Sequence, residues 1–403
     1  MNGIADVTAK LFFIGTTGDH VFTATSANGK TGTSANINIQ VGTPVRLAFS
    51  IEPGNAIADS NLSVQPIVSI QDTGGNIVSS ATDAVALSIG TNPGSGTLSA
   101  TSNPINASFG NAAFTGIKIN RAGTGYTLNA TAAGLTSTTS SGFTINNPMP
   151  ATTSISPTNK VLGDIAFTIT VNGTHFVSSS VIQFDGSNRA TTFVNDNQLT
   201  AQILADDLLS SGAHSIAVFN PTPGGGTSNT QTFTVLTGSI SGLNFNDANG
   251  NGVQNAGESG LQNWLIRLSK NGSDFDSTFT DADGNYSFVN LSVGTYIVSE
   301  FVQGGWLQTL PSSPSTYTIT IQSGQNEIVT GNNFGSFQYG SISGVKFHDL
   351  NGNGTKDIGE GGLQNWKIKL AGSMVDSFLS DVNGNYSFIN LIAGNYTVSE
   401  VLQ

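Results

Sequence analysis

Asp247, Asn249, Asn251, Asn255 and Glu258 put oxygen-bearing side chains at positions 1, 3, 5, 9 and 12 of one short stretch, with Gly252 at position 6. This satisfies the spacing D-x-[DN]-x-[DN]-G-x5-E of a calcium loop, the ligand pattern of a hard, oxygen-loving, seven-coordinate cation. The stretch returns about a hundred residues later as Asp349, Asn351, Asn353, Asp357 and Glu360, with Gly354 at position 6. No other residues in the chain frame comparable chemistry. A second, weaker pair of clusters is Asp281, Asp283, Asn285 and Asp381, Asn383, Asn385. There a tyrosine replaces the position-six glycine, so a cation cluster and a plain Asp-Gly or Asn-Gly hairpin turn are both open.

The elements that must position these residues are strands. Ser-Ile-Ala-Val-Phe (215–219), Phe-Thr-Ile-Thr-Val (167–171) and Tyr-Thr-Ile-Thr-Ile (317–321) alternate at period two. Turn signals such as Gly74-Gly75-Asn76, Asp185-Gly186 and Asp283-Gly284-Asn285 recur about every ten residues. No stretch sustains a helical period, and Ala205-Asp-Asp-Leu-Leu is at most one helical turn. Evenly spaced short strands of this kind predict an all-β chain of tandem β-sandwiches.

Composition excludes several functions. The 403 residues suggest about three domains. Cysteine is absent, which removes thiolate metal sites, cysteine nucleophiles and disulfides. A net charge of −12 with only 13 Lys+Arg leaves no basic face for nucleic acid or for an anionic membrane surface. From residue 238 onward 14 acidic residues face 6 basic ones, so most of the negative charge lies where the two loops are. No run of 18 apolar residues is present, so no membrane-inserted segment is expected, and the run at residues 11–14 (Leu-Phe-Phe-Ile) is too short for a signal-peptide core. The chain reads as an internal fragment of a longer exported protein.

Five segments follow. Residues 1–43 read as the C-terminal part of a sandwich, with late strands around 21–26 and 35–41. Residues 44–146 carry Leu47-Ala-Phe-Ser-Ile-Glu-Pro, Val68-Ser-Ile-Gln-Asp-Thr-Gly-Gly-Asn and Gly123-Thr-Gly-Tyr-Thr-Leu-Asn-Ala, and resemble the bacterial immunoglobulin-like repeats of surface proteins. Residues 147–236, with Ile155-Ser-Pro157-Thr, Val181-Ile-Gln-Phe-Asp-Gly and Pro223-Gly-Gly-Gly-Thr-Ser-Asn229, resemble an IPT/TIG domain, also an immunoglobulin-like sandwich. Residues 237–337 begin Gly238-Ser-Ile-Ser-Gly242 and continue through Gly260-Leu-Gln-Asn-Trp264 and Tyr296-Ile-Val-Ser-Glu300. Residues 338–403 repeat these as Gly340-Ser-Ile-Ser-Gly344, Gly362-Leu-Gln-Asn-Trp366 and Tyr396-Thr-Val-Ser-Glu400.

This last pattern resembles the B domains of serine–aspartate-repeat surface adhesins, Cna-B-like sandwiches that bind calcium. The resemblance implies that each acidic loop lies between strands rather than between helices. By loop position the side chains named above supply oxygens, Val253 and Thr355 supply backbone carbonyls, and Glu258 and Glu360 bind bidentately. The second loop, with Asp357 where the first has Asn255, is expected to bind more tightly. Some Cna-B-like domains carry a lysine–asparagine cross-link promoted by a glutamate. Glu300 and Glu400 occupy places like that glutamate, but Leu243, Asn244 and Phe245 stand where the first copy would need the lysine, and Lys346 of the second copy aligns with Asn244. No cross-link is expected. Repeat two stops at Gln403, aligned with Gln303, and so lacks the counterparts of Trp306, 317–321 and Asn333-Phe334. An uncovered edge and a partly open core are expected there.

The remaining signals are bland. Trp264, Trp366, Tyr296, Phe288 and Leu291 read as core, and Trp306 as packing over a sandwich end rather than as a sugar platform. His20, His175, His214 and His348 are scattered over separate modules, and no nucleophile–base arrangement is framed. The expectation is a non-catalytic, extracellular or cell-surface stalk, stiffened by calcium in its C-terminal repeats and shaped as an extended rod. Host or matrix proteins, or glycans, are its candidate partners. The alternative is a set of carbohydrate- or protein-binding accessory modules of a large secreted hydrolase.

Overall fold

The computed structural model describes residues 15–324 and 327–402. The short apolar run at 11–14 lies outside the described residues. Among the described residues every regular element is a strand, apart from one 3-10 turn at Ala205–Leu208. Among the described residues no helix is long and apolar enough to cross a membrane. The chain divides into two compact units. One holds the described residues up to Ser156 with Thr168–Gln202 and Ser215–Thr232; the other holds Pro157–Phe167, Ile203–His214 and the residues from Phe233 onward.

In the first unit, the strands Arg46–Ile51, Ile67–Gln71 and Asn111–Ala113 form one sheet. Ala84–Ile89 and Leu128–Thr131 are the centre of another. Their inward residues, among them Val68, Ile70, Val85, Leu128 and Ala130, are fully buried and meet Phe114, Ile117 and Ile119 in a single core. Alternation has put one face of each strand inside. Tyr126 sits in that core and donates its hydroxyl to the Arg121 carbonyl at 2.9 Å, tying a strand to the corner before it. The IPT/TIG-like strands Ala151–Ser156, Phe167–Thr174, Gln198–Ile203 and Thr191–Asn195 form a sheet, and Val181–Phe184 pairs antiparallel with Gly212–Asn220.

Residues 15–43 place a short strand within each expected stretch, Thr23–Thr25 and Ile37–Ile39. They form two short antiparallel pairs, Gly18–His20 with Ile37–Ile39 and Thr23–Thr25 with Thr31–Thr33. Val21, Ile37 and Val41 stay largely exposed, because among the described residues no second sheet covers them.

In the second unit the first repeat is a two-sheet sandwich. Gly238–Asn246 is the centre of one sheet, antiparallel to Asn285–Leu291 and parallel to Ile328–Val329 and Phe334–Gln338. The other sheet runs Ser273–Phe279, Leu265–Lys270, Gly294–Glu300, Thr316–Ile321. Between them Ile240, Trp264, Ile266, Leu268, Phe288, Tyr296, Val298 and Phe334 form the core. The second repeat reproduces the register, including the shift that sets Gly340 opposite Leu391 and Ile342 opposite Phe388, just as Gly238 faces Leu291 and Ile240 faces Phe288. Its first sheet has two strands and its second has three. Its fully closed core shrinks to Ile368, Leu370, Phe388 and Leu391.

Candidate functional site

Both acidic loops connect the first strand of a repeat to the strand that starts the other sheet. In repeat one the loop is pinched at its base, where Asn246 donates to the Ser259 carbonyl at 2.9 Å and Leu261 to the Asn244 carbonyl at 2.8 Å. Gly260 lies so close under the Asp283 carbonyl that any side chain there would collide with backbone. Within the loop the oxygens fold inward. Asp247 is fully buried and accepts the backbone N–H of Asn251 at 3.0 Å and of Gly252 at 2.7 Å. Asn249 accepts from Asn251 N–H, and Asn251 accepts from Val253 N–H. The amides of Asn249 and Asn251 both reach Asn255 Oδ1, at 2.8 and 2.9 Å, and Glu258 Oε2 accepts the Asn255 N–H at 2.8 Å. Gly252 has φ +73°, the left-handed turn that position six requires.

Repeat two builds the same frame. Asp349 accepts from Gly352, Asn353 and Gly354 N–H, and Asn351 and Asn353 donate to Asp357 Oδ2 at 2.9 and 2.7 Å. The Gly354 hydrogen bond is the first of several that hold the Asp349 carboxyl below the usual aspartate range, so it stays ionised. Glu360 is 6% exposed and bridges the loop ends, accepting from Leu350 N–H at 2.8 Å and Asp357 N–H at 3.0 Å.

The five side chains named for each loop are therefore brought together, and Val253 and Thr355 hold position seven. Every side chain of the set carries an oxygen, the ligand type a hard cation takes. At each site two amide nitrogens converge on one oxygen. Turning those amides over would present two carbonyl acceptors instead, in exchange for the backbone N–H groups that their oxygens accept. Each set mixes amides with carboxylates, and among the described residues no group of three or more His, Cys, Asp or Glu is placed to hold a metal.

The weaker clusters are turns that use their own oxygens. Asp281 accepts from Asp283 and Asn285 N–H at 3.0 and 2.8 Å, and Asp381 accepts from Asn383 and Asn385 in the same way. Gly284 and Gly384 take φ +83° and +82° at the turn. The hydrogen bond from Asn285 holds the Asp281 carboxyl below its usual range.

A polar pocket that the loop motif does not announce lies at the heart of repeat one. Glu300 accepts Asn244 Nδ2–H at 2.7 Å and Ser336 Oγ–H at 3.1 Å. Burial pushes the Glu300 carboxyl up to about 7, against the lowering effect of those two hydrogen bonds. Period two foretold its direction, because Tyr296 and Val298 on the same strand are buried and Glu300 follows in phase. Ser336 had no such signal. In repeat two Lys346 replaces Asn244, pairs with Glu400 at 2.5 Å and stacks over Trp366. Trp306 packs edge-on against Trp264, ring centroids 5.1 Å apart, rather than standing free as a platform.

These features define a class: tandem all-β modules whose inter-strand loops gather oxygen-bearing side chains. Residues 238–336 and 340–402 match the SdrD B-like domain, and residues 150–235 match the IPT/TIG domain. The chain is 29% identical over 166 residues to serine-aspartate repeat-containing protein F of Staphylococcus epidermidis, covering 38% of this chain and 10% of that protein. It is 30% identical over 167 residues to serine-aspartate repeat-containing protein C of Staphylococcus aureus strain Newman, covering 38% of this chain and 18% of that protein. The chain thus spans under a fifth of the length of these relatives. Among solved structures, the Bacillus anthracis TIE protein aligns over 89% of this chain and 69% of its own at 12% identity, with a TM-score of 0.28. The major pilin subunit of Bacillus cereus aligns over 64% of this chain and 95% of its own at 11% identity, with a TM-score of 0.26.

Proposed function

We propose that this chain is a non-catalytic stalk region of an exported bacterial surface protein, in which calcium bound by loops 247–258 and 349–360 stiffens the C-terminal repeats. The observation that carries this reading is that Asp247, Asn249, Asn251, Asn255 and Glu258 are tied into one hydrogen-bonded loop frame, repeated with Asp349, Asn351, Asn353, Asp357 and Glu360. The family of the two repeats supports a surface setting, and host or matrix proteins or glycans are the partners that setting supplies. No residue set framed in the sequence argues for catalysis.

An ion that binds only the folded form stabilises it by about 2.7 kcal/mol at a hundredfold excess over its dissociation constant. Extracellular modules of this chemistry bind calcium at roughly 10⁻⁴–10⁻³ M. The test is calorimetric melting of the whole chain in millimolar calcium and in chelator, with Glu258→Gln and Glu360→Gln beside the natural sequence. Calcium should raise the melting temperature of the repeats, and each substitution should remove much of that gain. Superimposable melting curves with calcium and with chelator would refute the proposal.

A further inference from the structure

The sheet-to-sheet connection at residues 291–294 of repeat one, and its counterpart at 391–394 of repeat two, each receive the module that precedes them. In the first case the receiving contact is hydrogen-bonded. Val293 N–H donates to the Leu162 carbonyl at 2.9 Å, and Gly163, at φ +75°, faces Ser292. Around it Val161 N–H donates to Ser323 Oγ at 2.8 Å, Ser323 donates to Asp164 at 2.6 Å, and Lys160 pairs with Asp164 at 3.3 Å. Val161 itself is fully buried in the core of repeat one.

In the second case the preceding surface is the acidic loop of repeat one. Gly250, at φ +69°, lies between ligand positions three and five. A methyl group built on it would sit 3.0 Å from Ala393 Cβ and 3.5 Å from the Phe337 ring. Ala248, Asn249 and Phe337 share a cavity of about 490 Å³ with Ile342, Ala393 and Tyr396. Where repeat one has Val293, repeat two has Ala393, the smaller side chain that lets the loop approach. A single residue, Tyr339, separates the last strand of repeat one from the first strand of repeat two.

The geometry points to the outer turn of the first acidic loop as the docking surface for repeat two, so that the ion held in that loop sets the joint between the repeats. This rests on the calcium reading of loop 247–258 given above. Asn249 is at once a ligand and a wall of the shared cavity. Drawing its oxygen onto an ion fixes the turn that faces Ala393, and releasing the ion frees that turn. The joint ahead of repeat one contains no loop of this kind and holds by hydrogen bonds and core packing alone. Coupling of this sort is reciprocal, so anything that pushes repeat two off the loop weakens the ion by the same factor.

The test uses the full chain, which has no cysteine and so accepts unique spin labels. One pair of labels, Ser277→Cys with Ser377→Cys, spans the joint between repeats. Another, Ser210→Cys with Ser277→Cys, spans the joint ahead of repeat one. Removing calcium should broaden the distance distribution of the first pair and leave the second unchanged. In a chain whose second loop is disabled by Glu360→Gln, Ala393→Arg should weaken calcium binding at the first loop by about fivefold or more. If titration shows calcium bound to the first loop while the first pair's distances and the Ala393→Arg affinity do not change, the joint is refuted and the metal site stands. If no calcium binds, both fall.

Discussion

Repeat one and repeat two share a register, a loop and a sheet-to-sheet turn, yet differ in how much of each is sealed. Asp247 is fully buried because its N–H donates to the Ser336 carbonyl on the strand Phe334–Gln338, and Gly252 faces the Thr309 carbonyl. Repeat two has no counterpart of those strands among its residues, and Asp349 stays partly open to solvent. Tyr286 is 4% exposed and donates to the Asn332 carbonyl, whereas its counterpart Tyr386 is only half-buried. Buried Asn244 in one repeat is a lysine in the other, ion-paired at a surface with 39% of the glutamate side chain exposed. The hydrogen-bond frame inside the acidic loop thus recurs in repeat two without those strands, while the polar pocket around Glu300 depends on a strand 36 residues further on.

The comparison breaks most severely if Phe334 is truncated. It is fully buried against Tyr286 and Tyr317. Phe334→Ala should cost about 3–5 kcal/mol by the cavity it leaves. Thermal unfolding followed by calorimetry should show the transition of repeat one falling toward that of repeat two, with the other transitions in place. A smaller effect is expected from pH. The folded-state carboxyl of Glu300 lies at about 7 against an ordinary 4.5, so the folded form binds its proton more tightly than the unfolded form does. That contribution is full below about pH 4.5 and is lost as pH rises to about 7, a change on the order of 3 kcal/mol. Urea unfolding at pH 5 and pH 8 should show the decline in repeat one, and Glu300→Gln should flatten it. The smallest effect sharpens the match between loops. Asn255→Asp gives loop one the three carboxylates of loop two and should tighten calcium by on the order of 1 kcal/mol, several-fold in dissociation constant by titration. An unchanged constant would mean that burial of Asp247 already offsets the missing charge.

Much of this was legible from short-range pattern. Alternation located the strands, and Gly252 and Gly354 marked the loop turns because only one backbone conformation suits position six. At Asp281 and Asp381 the spacing left a hairpin turn and a cation cluster both open; the tight turns form, but they join strands of different sheets. Contacts remote in sequence were not legible. Nothing near Ser336 says that it will face Glu300, and Ala393 lies far along the chain from Gly250. Residues 15–43 read as sandwich strands because their alternation is real, but pattern alone does not supply a partner sheet for Val21 and Ile37.

In repeat one the first strand, Gly238–Asn246, and the last, Phe334–Gln338, lie side by side and run the same way. A tension applied between Gly238 and Gln338 therefore pulls along both strands in opposite senses. The bonds joining Asn244, Phe245 and Asn246 to Phe334, Gly335 and Ser336 are loaded together rather than one after another. The sheet must slide to fail, instead of peeling from one end, which is the arrangement that best resists a tug along the chain.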